Sequence, residues 1–405
     1  MRAYERFLEY VVIWTSSDEY SDTVPSAMRE FDLAHKLVDD LKAIGVEDVE
    51  LDDKCYIYAH VPATPGYEDK PAIGLVAHMD TATEYTGKDV KPRMIENYDG
   101  GDIVLGDSGK VLTVKDFPDL KDLKGRTLIV TDGTTLLGGD NKAGLAEIIT
   151  AVDEILKEGQ PHGKICIGFT PDEEIGRGTD HFDLEKFGAD FAYTVDGDAE
   201  GEIQFENFNA STAFYKIHGN NVHTGSAKDI LVNSQFIAVE LTKYFPEDER
   251  PETTEGYEGF YHLLSMNGNV ELTTVRYALR DHDAEKFAAR EAYMHTVKDK
   301  LNEIYGEGTV ELEIVPVYRN MREHIEGCMH LVDNAKTAIR EFGLEPNVRP
   351  IRGGTDGAML CYKGLPCPNL GTGGHAFHGP FEHITVEGMD LCVKIVKRIL
   401  DLYAK

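Results

Sequence analysis

His78 and Asp80 stand two residues apart in GLVAHMD, a spacing that sends both side chains out on the same side of extended backbone. Asp140 closes TLIVTDGTTLLGGD and opens NKAGLAEII, Glu173 and Glu174 end ICIGFTPDEE, and Asp196 ends AYTVD. Each follows a short apolar run, so four consecutive strand candidates lead into a histidine or a carboxylate. In parallel α/β sheets the C-terminal ends of the strands share one edge, and sites are built there. Carboxylates crowded on one edge repel one another and raise at least one pKa unless a cation neutralises them. Histidine and carboxylate donors without cysteine suit zinc, and also manganese or cobalt. Taken singly the signals are ordinary: a strand-end histidine is usually just hydrogen-bonded, and Asp in GGD before a helix is a common N-cap. Their shared order along the chain is what points to a metal site. Further imidazoles lie in GTGGHAFHGPFEH, where His375, His378 and His383 compete for the place of a second histidine ligand and spacing alone does not choose.

The elements that must position these residues can be read from periodicity. Tyr4, Phe7, Leu8, Val11 and Val12 mark an amphipathic helix, as do Phe31, Ala34, Leu37, Val38 and Leu41, with Gly45 where a C-terminal cap belongs. The runs 72–77, 127–131, 165–170 and 191–195 are apolar on both faces, as strands covered by helices would be. The spacing of Leu145, Ile148, Ile149, Val152, Ile155 and Leu156 predicts a helix between two of them. From about Phe208 the rhythm changes to alternating strands (211–218, 269–280, 309–317) and helices (234–245, 283–305), a separate α+β module of the split β-α-β type. After Tyr318 the α/β rhythm returns. The expected architecture is α/β: a catalytic domain of residues 1–207 and 318–405, with a largely parallel sheet and helices on both faces, and an inserted α+β module of residues 208–317. In that module His223 (HGNNVHTG) sits in a turn and Arg280 (YALRDHD) ends a strand, where a salt bridge to Asp281 or Asp283 is its simplest explanation.

Composition bounds the partners. The chain has 405 residues and a formal net charge of −31, which repels phosphate backbones and excludes nucleic acid as a natural partner. The six cysteines form no CxxC pair and read as free thiols in a reducing compartment. Neither a targeting segment nor a membrane-spanning apolar run is visible, so a cytoplasmic location is expected.

Taken together, GLVAHMDT, LLGGDNKAG, FTPDEEIGRG, YTVDG, ENFNAS, HGNNVHTG, TEGYEGFYHL, PIRGGTDGA and GLPCPNLGTGG resemble, in order and spacing, the peptidase T family of cytoplasmic aminotripeptidases within the di-zinc aminoacylase/carboxypeptidase superfamily. The resemblance implies two zinc ions, with Mn2+ or Co2+ as substitutes: His78, Asp140 and Asp196 on one, Asp140, Glu174 and His378 on the other, and Asp140 bridging. It implies Asp80 as the carboxylate that orients His78 and Glu173 as general base. His223 would polarise the scissile carbonyl, and Arg280, with Arg352 as a second candidate, would hold the substrate's C-terminal carboxylate. It further implies an inserted module that acts as lid and dimer surface, a homodimer, and short peptides with a free N-terminus as substrates. Two departures stand out: Thr224 replaces the proline the family commonly has after this histidine, and His375 is an extra imidazole. Rival readings are a dipeptidase or N-acyl-amino-acid deacylase on the same scaffold, and a non-catalytic peptide- or metal-binding protein.

Overall fold

The computed structural model describes residues 1–405, the side chain of Asp107 excepted. The chain divides into two compact units: residues 1–205, 323–349 and 355–405 form the first, and residues 206–322 with 350–354 the second.

The first unit is built on an eight-stranded mixed sheet in the spatial order Asp48–Leu51, Ile57–Val61, Ile165–Thr170, Ile73–His78, Phe191–Gly197, Asn369–Gly371, Glu202–Gln204 and Asn347–Val348. Its middle is parallel: the strand Ile73–His78 runs between Ile165–Thr170 and Phe191–Gly197, and the latter pairs in parallel with Asn369–Gly371. Antiparallel strands flank this middle on both sides. The runs IGLVAH and ICIGFT are buried at every position, as strands covered on both faces must be. Helix Gly139–Glu158 lies against the 73–78 and 191–197 strands and in turn packs on Ala3–Val11 and Val386–Tyr403.

One expected strand sits elsewhere. Leu128–Val130 does not join the parallel sheet; it pairs antiparallel with Arg93–Ile95 and His383–Thr385 in a separate four-stranded sheet completed by Gly374–His375. The apolar pattern of LIV is satisfied equally by this small sheet, because all three residues are buried there. All six cysteines are free thiols.

The second unit is a β-α-β-β-α-β arrangement whose four strands lie antiparallel in the order Phe260–Gly268, Leu272–Asp281, Asn209–His218, Val310–Tyr318. Alternation along Asn209–His218 places Ala213, Tyr215 and Ile217 in a core with Leu241, Phe245, Met294, Val297 and Leu301, and leaves Phe214, Lys216 and His218 outside. The strand Phe260–Gly268 has no clean alternation in sequence, because its register shifts between Leu263 and Ser265 and consecutive apolar residues become exposed at the sheet edge. Among the described residues no helix is long and apolar enough to cross a membrane.

Gly144 tests how closely this frame is packed. A Cβ built at Gly144 would overlap the Val195 carbonyl oxygen and the Asn141 side chain, so the helix and the strand meet backbone to backbone, one residue from Asp140 on one side and Asp196 on the other. We expect Gly144→Ala to lower unfolding free energy by about 1–3 kcal/mol in urea denaturation, the range for overpacked cores; unchanged stability would show that the approach is looser than described.

Candidate metal centre

His78, Glu173, Glu174 and Asp196 gather at the C-terminal edge of three adjacent parallel strands. His78 is the last residue of its strand and pairs in register with Thr170, after which the chain turns into the short Glu173–Ile175 helical turn. Asp196 stands near the end of Phe191–Gly197. Asp140 arrives differently from the expectation of a strand end: it lies in the first turn of Gly139–Glu158, with non-helical φ −85° and ψ 102°, after the loop that leaves Leu128–Val130. His378 comes from the loop between Gly374–His375 and His383–Thr385, at a left-handed φ of 64°.

Asp140 is the centre of the cluster. Its Oδ1 lies 2.8 Å from His78 Nε2 and its Oδ2 lies 3.1 Å from His378 Nε2. His78 Nε2 is also 3.3 Å from Asp196 Oδ1, and His378 Nε2 is 3.1 Å from Glu174 Oε2. Glu173 stands further back, with Oε2 4.0 Å from His78 Nε2. The three competing histidines thus separate: His378 joins this group, whereas His375 and His383 both turn to Asp119.

The electrostatics show how crowded the site is. Burial raises the pKa of Glu173 well above the usual carboxylate range, and burial together with Asp140 pushes Glu174 up to about 8. Burial likewise raises Asp196. Burial alone would raise Asp140 too, but its hydrogen bonds to His378 and His78 outweigh that and hold it below its ordinary value. Hydrogen bonds to Asp140 and Glu174 push His378 up to about 12. Among the described residues the buried Glu174 Oε1 has no hydrogen-bond partner, and the buried Asp196 Oδ1 has only the 3.3 Å approach of His78 Nε2, which makes no well-directed hydrogen bond. His78, Asp140 and Glu174 each offer a donor atom within 4.8 Å of the others. An all-nitrogen-and-oxygen donor set with orphaned carboxylate oxygens fits a divalent metal ion.

Asp80 is fully buried and serves two elements at once. Its Oδ1 lies 3.2 Å from His78 Nδ1, which directs Nε2 into the cluster, and its two oxygens accept the backbone N–H groups of Glu173 and Glu174, each at 3.0 Å. Ser17 donates its hydroxyl to the same carboxylate.

Several supporting residues escaped the sequence reading. Glu382, buried, accepts the backbone N–H groups of Leu137, Gly138 and Asp140 at 2.7, 2.8 and 3.0 Å and so fixes the loop that delivers Asp140. Asp356 of the TDGA segment accepts from Thr170 Oγ1 at 2.6 Å, and burial pushes it up to about 7. Lys142 is buried with its ammonium on the Ile13 carbonyl at 2.6 Å. All three lie in Gly-containing motifs, but no spacing marks them as supports.

The other candidates belong to the second unit. His223 is exposed, and its Nδ1 accepts the Gly225 N–H at 3.1 Å; the neutral ring therefore carries its proton on Nε2, as a donor. Arg280 does not form the expected salt bridge. Asp281 is taken by Arg290 at 2.8 Å and Asp283 caps the following helix, while the Arg280 guanidinium donates to the Leu279 and Ser211 carbonyls and lies over the Tyr318 ring. Arg352 donates to the carbonyls of Gly256 and Glu258, both at 2.9 Å, and to Thr254 Oγ1 at 2.8 Å, so it fastens the 254–258 loop.

Fold and centre together define a hydrolase of the metal-dependent peptidase class. Residues 132–402 match the family described as Peptidase family M20/M25/M40, and the chain belongs to that family. A relative named Peptidase T from Alkaliphilus oremlandii is 51% identical over 99% of both chains. Among solved structures, the aminopeptidase PepT from Bacillus cereus superposes with a TM-score of 0.79 at 24% identity, covering 100% of this chain and 98% of that one. A tripeptidase from Staphylococcus aureus gives 0.78 at 23% identity with the same coverage.

Replacing Glu382 with alanine removes the acceptor for three backbone N–H groups. At about 1–3 kcal/mol for each buried polar group left unsatisfied, we expect Glu382→Ala to lose at least about 2 kcal/mol of stability in urea denaturation and to bind metal more weakly in equilibrium dialysis. Wild-type values for both would remove Glu382 from the support of Asp140.

Proposed function

We propose that this chain is a metal-dependent aminopeptidase that releases the N-terminal residue of tripeptides. The observation that carries the reading is the cluster of His78, Asp140, Glu174, Asp196 and His378, with Glu173 beside it and outside the closest contacts. The peptidase T relative and the fold shared with an aminopeptidase and a tripeptidase support the substrate class.

His78, Asp140 and Asp196 would hold one zinc ion and Asp140, Glu174 and His378 the other, with Asp140 shared between them; Mn2+ or Co2+ would serve as substitutes. Such ions supply Lewis acidity and lower the pKa of a bound water from 15.7 towards about 7. Asp80 keeps His78 in the tautomer whose Nε2 faces the cluster and holds Glu173 in place through its backbone. Glu173, unencumbered by a hydrogen-bonded partner of its own, takes the proton of the attacking water and returns it to the leaving amine, a role that typically contributes about 10²–10⁴-fold. His223 donates its Nε2 proton to the carbonyl oxygen as charge develops there. Arg280, a guanidinium without a carboxylate partner, binds the peptide's C-terminal carboxylate and so measures substrate length. Arg352 retains an Nε proton and one Nη2 proton beyond those spent on the 254–258 loop, and is a second candidate for that carboxylate. A homodimer formed through the second unit is supported by the exposed apolar residues Leu263, Leu264, Val315 and Val317 on its two edge strands. A cytoplasmic location accords with six free thiols.

The test compares one unblocked tripeptide, its N-acetyl form and the corresponding dipeptide, with zinc-loaded and chelator-stripped protein. We expect release of the N-terminal residue from the free tripeptide alone, abolished by stripping. Cleavage of the acetylated form would move the activity to deacylation, and zinc binding with no cleavage would leave a binding protein. We further expect Glu173→Gln to retain its metal while kcat falls by at least about 10²-fold; a near-normal kcat would remove Glu173 as the base. Arg280→Ala should raise KM for free tripeptides far more than for C-terminally amidated ones, and equal effects would end its role in carboxylate binding.

A further inference from the structure

A second group of metal-type donors lies in the first unit, apart from the centre just described. His375 and His383 face each other in register across the antiparallel pair Gly374–His375 and His383–Thr385, with rings stacked at 5.1 Å and 14°. The short helical turn Pro118–Lys121 brings Asp119 against them: Asp119 Oδ2 lies 2.9 Å from His383 Nε2 and 3.4 Å from His375 Nδ1. One donor atom from each residue lies within 4.8 Å of the other two.

The hydrogen bonds leave these three residues unbalanced. His383 Nδ1 is 2.8 Å from the Phe381 carbonyl, so that nitrogen carries a proton and donates it. In a neutral ring Nε2 is then a bare lone pair, yet it points at a carboxylate oxygen. A cation between that lone pair and the carboxylate satisfies both. His375 offers no help, because burial and His383 push it down to about 4 and keep it neutral. Its Nε2 is buried without a hydrogen-bond partner. Arg126 and Glu200, whose charges also act on His375, are paired with each other.

We propose that Asp119, His375 and His383 form a further divalent-cation site of zinc type. Two imidazoles and one carboxylate are a three-ligand set that zinc completes with water. The Asp119 side chain is 34% exposed, so an ion and its water can exchange with solvent there, while His383 is wholly buried. The site closes the base of the loop 376–382, which carries both His378 and the Glu382 that fixes Asp140. An ion here staples that loop to the Pro118–Lys121 turn, next to an apolar cluster that includes Leu120, Leu123, Phe117 and Phe381.

The test is metal stoichiometry. Chelator-stripped wild type, Asp119→Asn and His375→Gln are dialysed to equilibrium against Zn2+, and bound zinc is counted by mass spectrometry, with Tm followed before and after loading. We expect each variant to bind one equivalent fewer than wild type, to retain the remainder, and to show a smaller zinc-induced rise in Tm from an unchanged metal-free Tm. Equal zinc content in all three proteins would overturn the proposal. Should a variant fail to fold, wild-type crystals soaked in Zn2+ decide: an anomalous difference peak between Asp119 and His383 supports the site, and no peak there overturns it.

Discussion

Four carboxylates, Asp140, Glu173, Glu174 and Asp196, share a largely desolvated sheet edge with two imidazoles, His78 and His378. At such a place opposite charges attract and like charges repel far more strongly than at the surface, so the group is stable only if a cation, or protons standing in for one, sits among the oxygens. The raised pKa values of Glu173, Glu174 and Asp196 and the depressed one of Asp140 are two sides of that constraint. Asp140 alone gains enough hydrogen-bond compensation to ionise readily, because each of its oxygens faces a different imidazole. Everything near the centre is arranged to hold the repelling groups at these separations.

That restraint is built from backbone as much as from side chains. Asp80 accepts two successive N–H groups of the Glu173–Glu174 turn, so the same carboxylate that aims His78 also fixes the distance between His78 and the glutamates. Glu382 does the equivalent for the loop entering Asp140. Gly144 allows the helix behind Asp140 to touch the strand behind Asp196. Each device ties two chain segments that are far apart in sequence, which explains why the centre needs a rigid sheet edge and could not be assembled on one loop.

The strand-end logic made His78, Glu173, Glu174 and Asp196 legible from sequence, since burial on both faces and a terminal polar residue leave a plain pattern. The same logic located Asp140 for the wrong reason: LIVT reads as a core strand, but three buried apolar residues fit a small antiparallel sheet as well. His378 could not be separated from His375 and His383 by spacing, because the choice depends on a left-handed turn and on Asp119 arriving from another part of the chain. Glu382 and Lys142 left no trace, since a buried polar residue that serves backbone groups has no period and no fixed offset from what it serves. In the second unit, alternation revealed three strands and missed Phe260–Gly268, where a register shift breaks the period. The salt bridge that adjacency in RDHD suggests for Arg280 does not form, because neighbours along a strand point to opposite faces and Asp281 is free to meet Arg290 instead.

The charge of −31 invites the thought that the whole surface draws cationic substrates in, yet magnitudes argue otherwise. At physiological ionic strength exposed charges are screened beyond about 8 Å, and a short peptide with free termini carries charges of both signs. Surface acidity therefore adds little to choosing among peptides, though it repels polyanions, whose many phosphates act together. Selection must come from groups that are near the peptide and partly shielded from water. An ammonium is suited by nearby carboxylates and a carboxylate by a nearby guanidinium, each acting at contact distance.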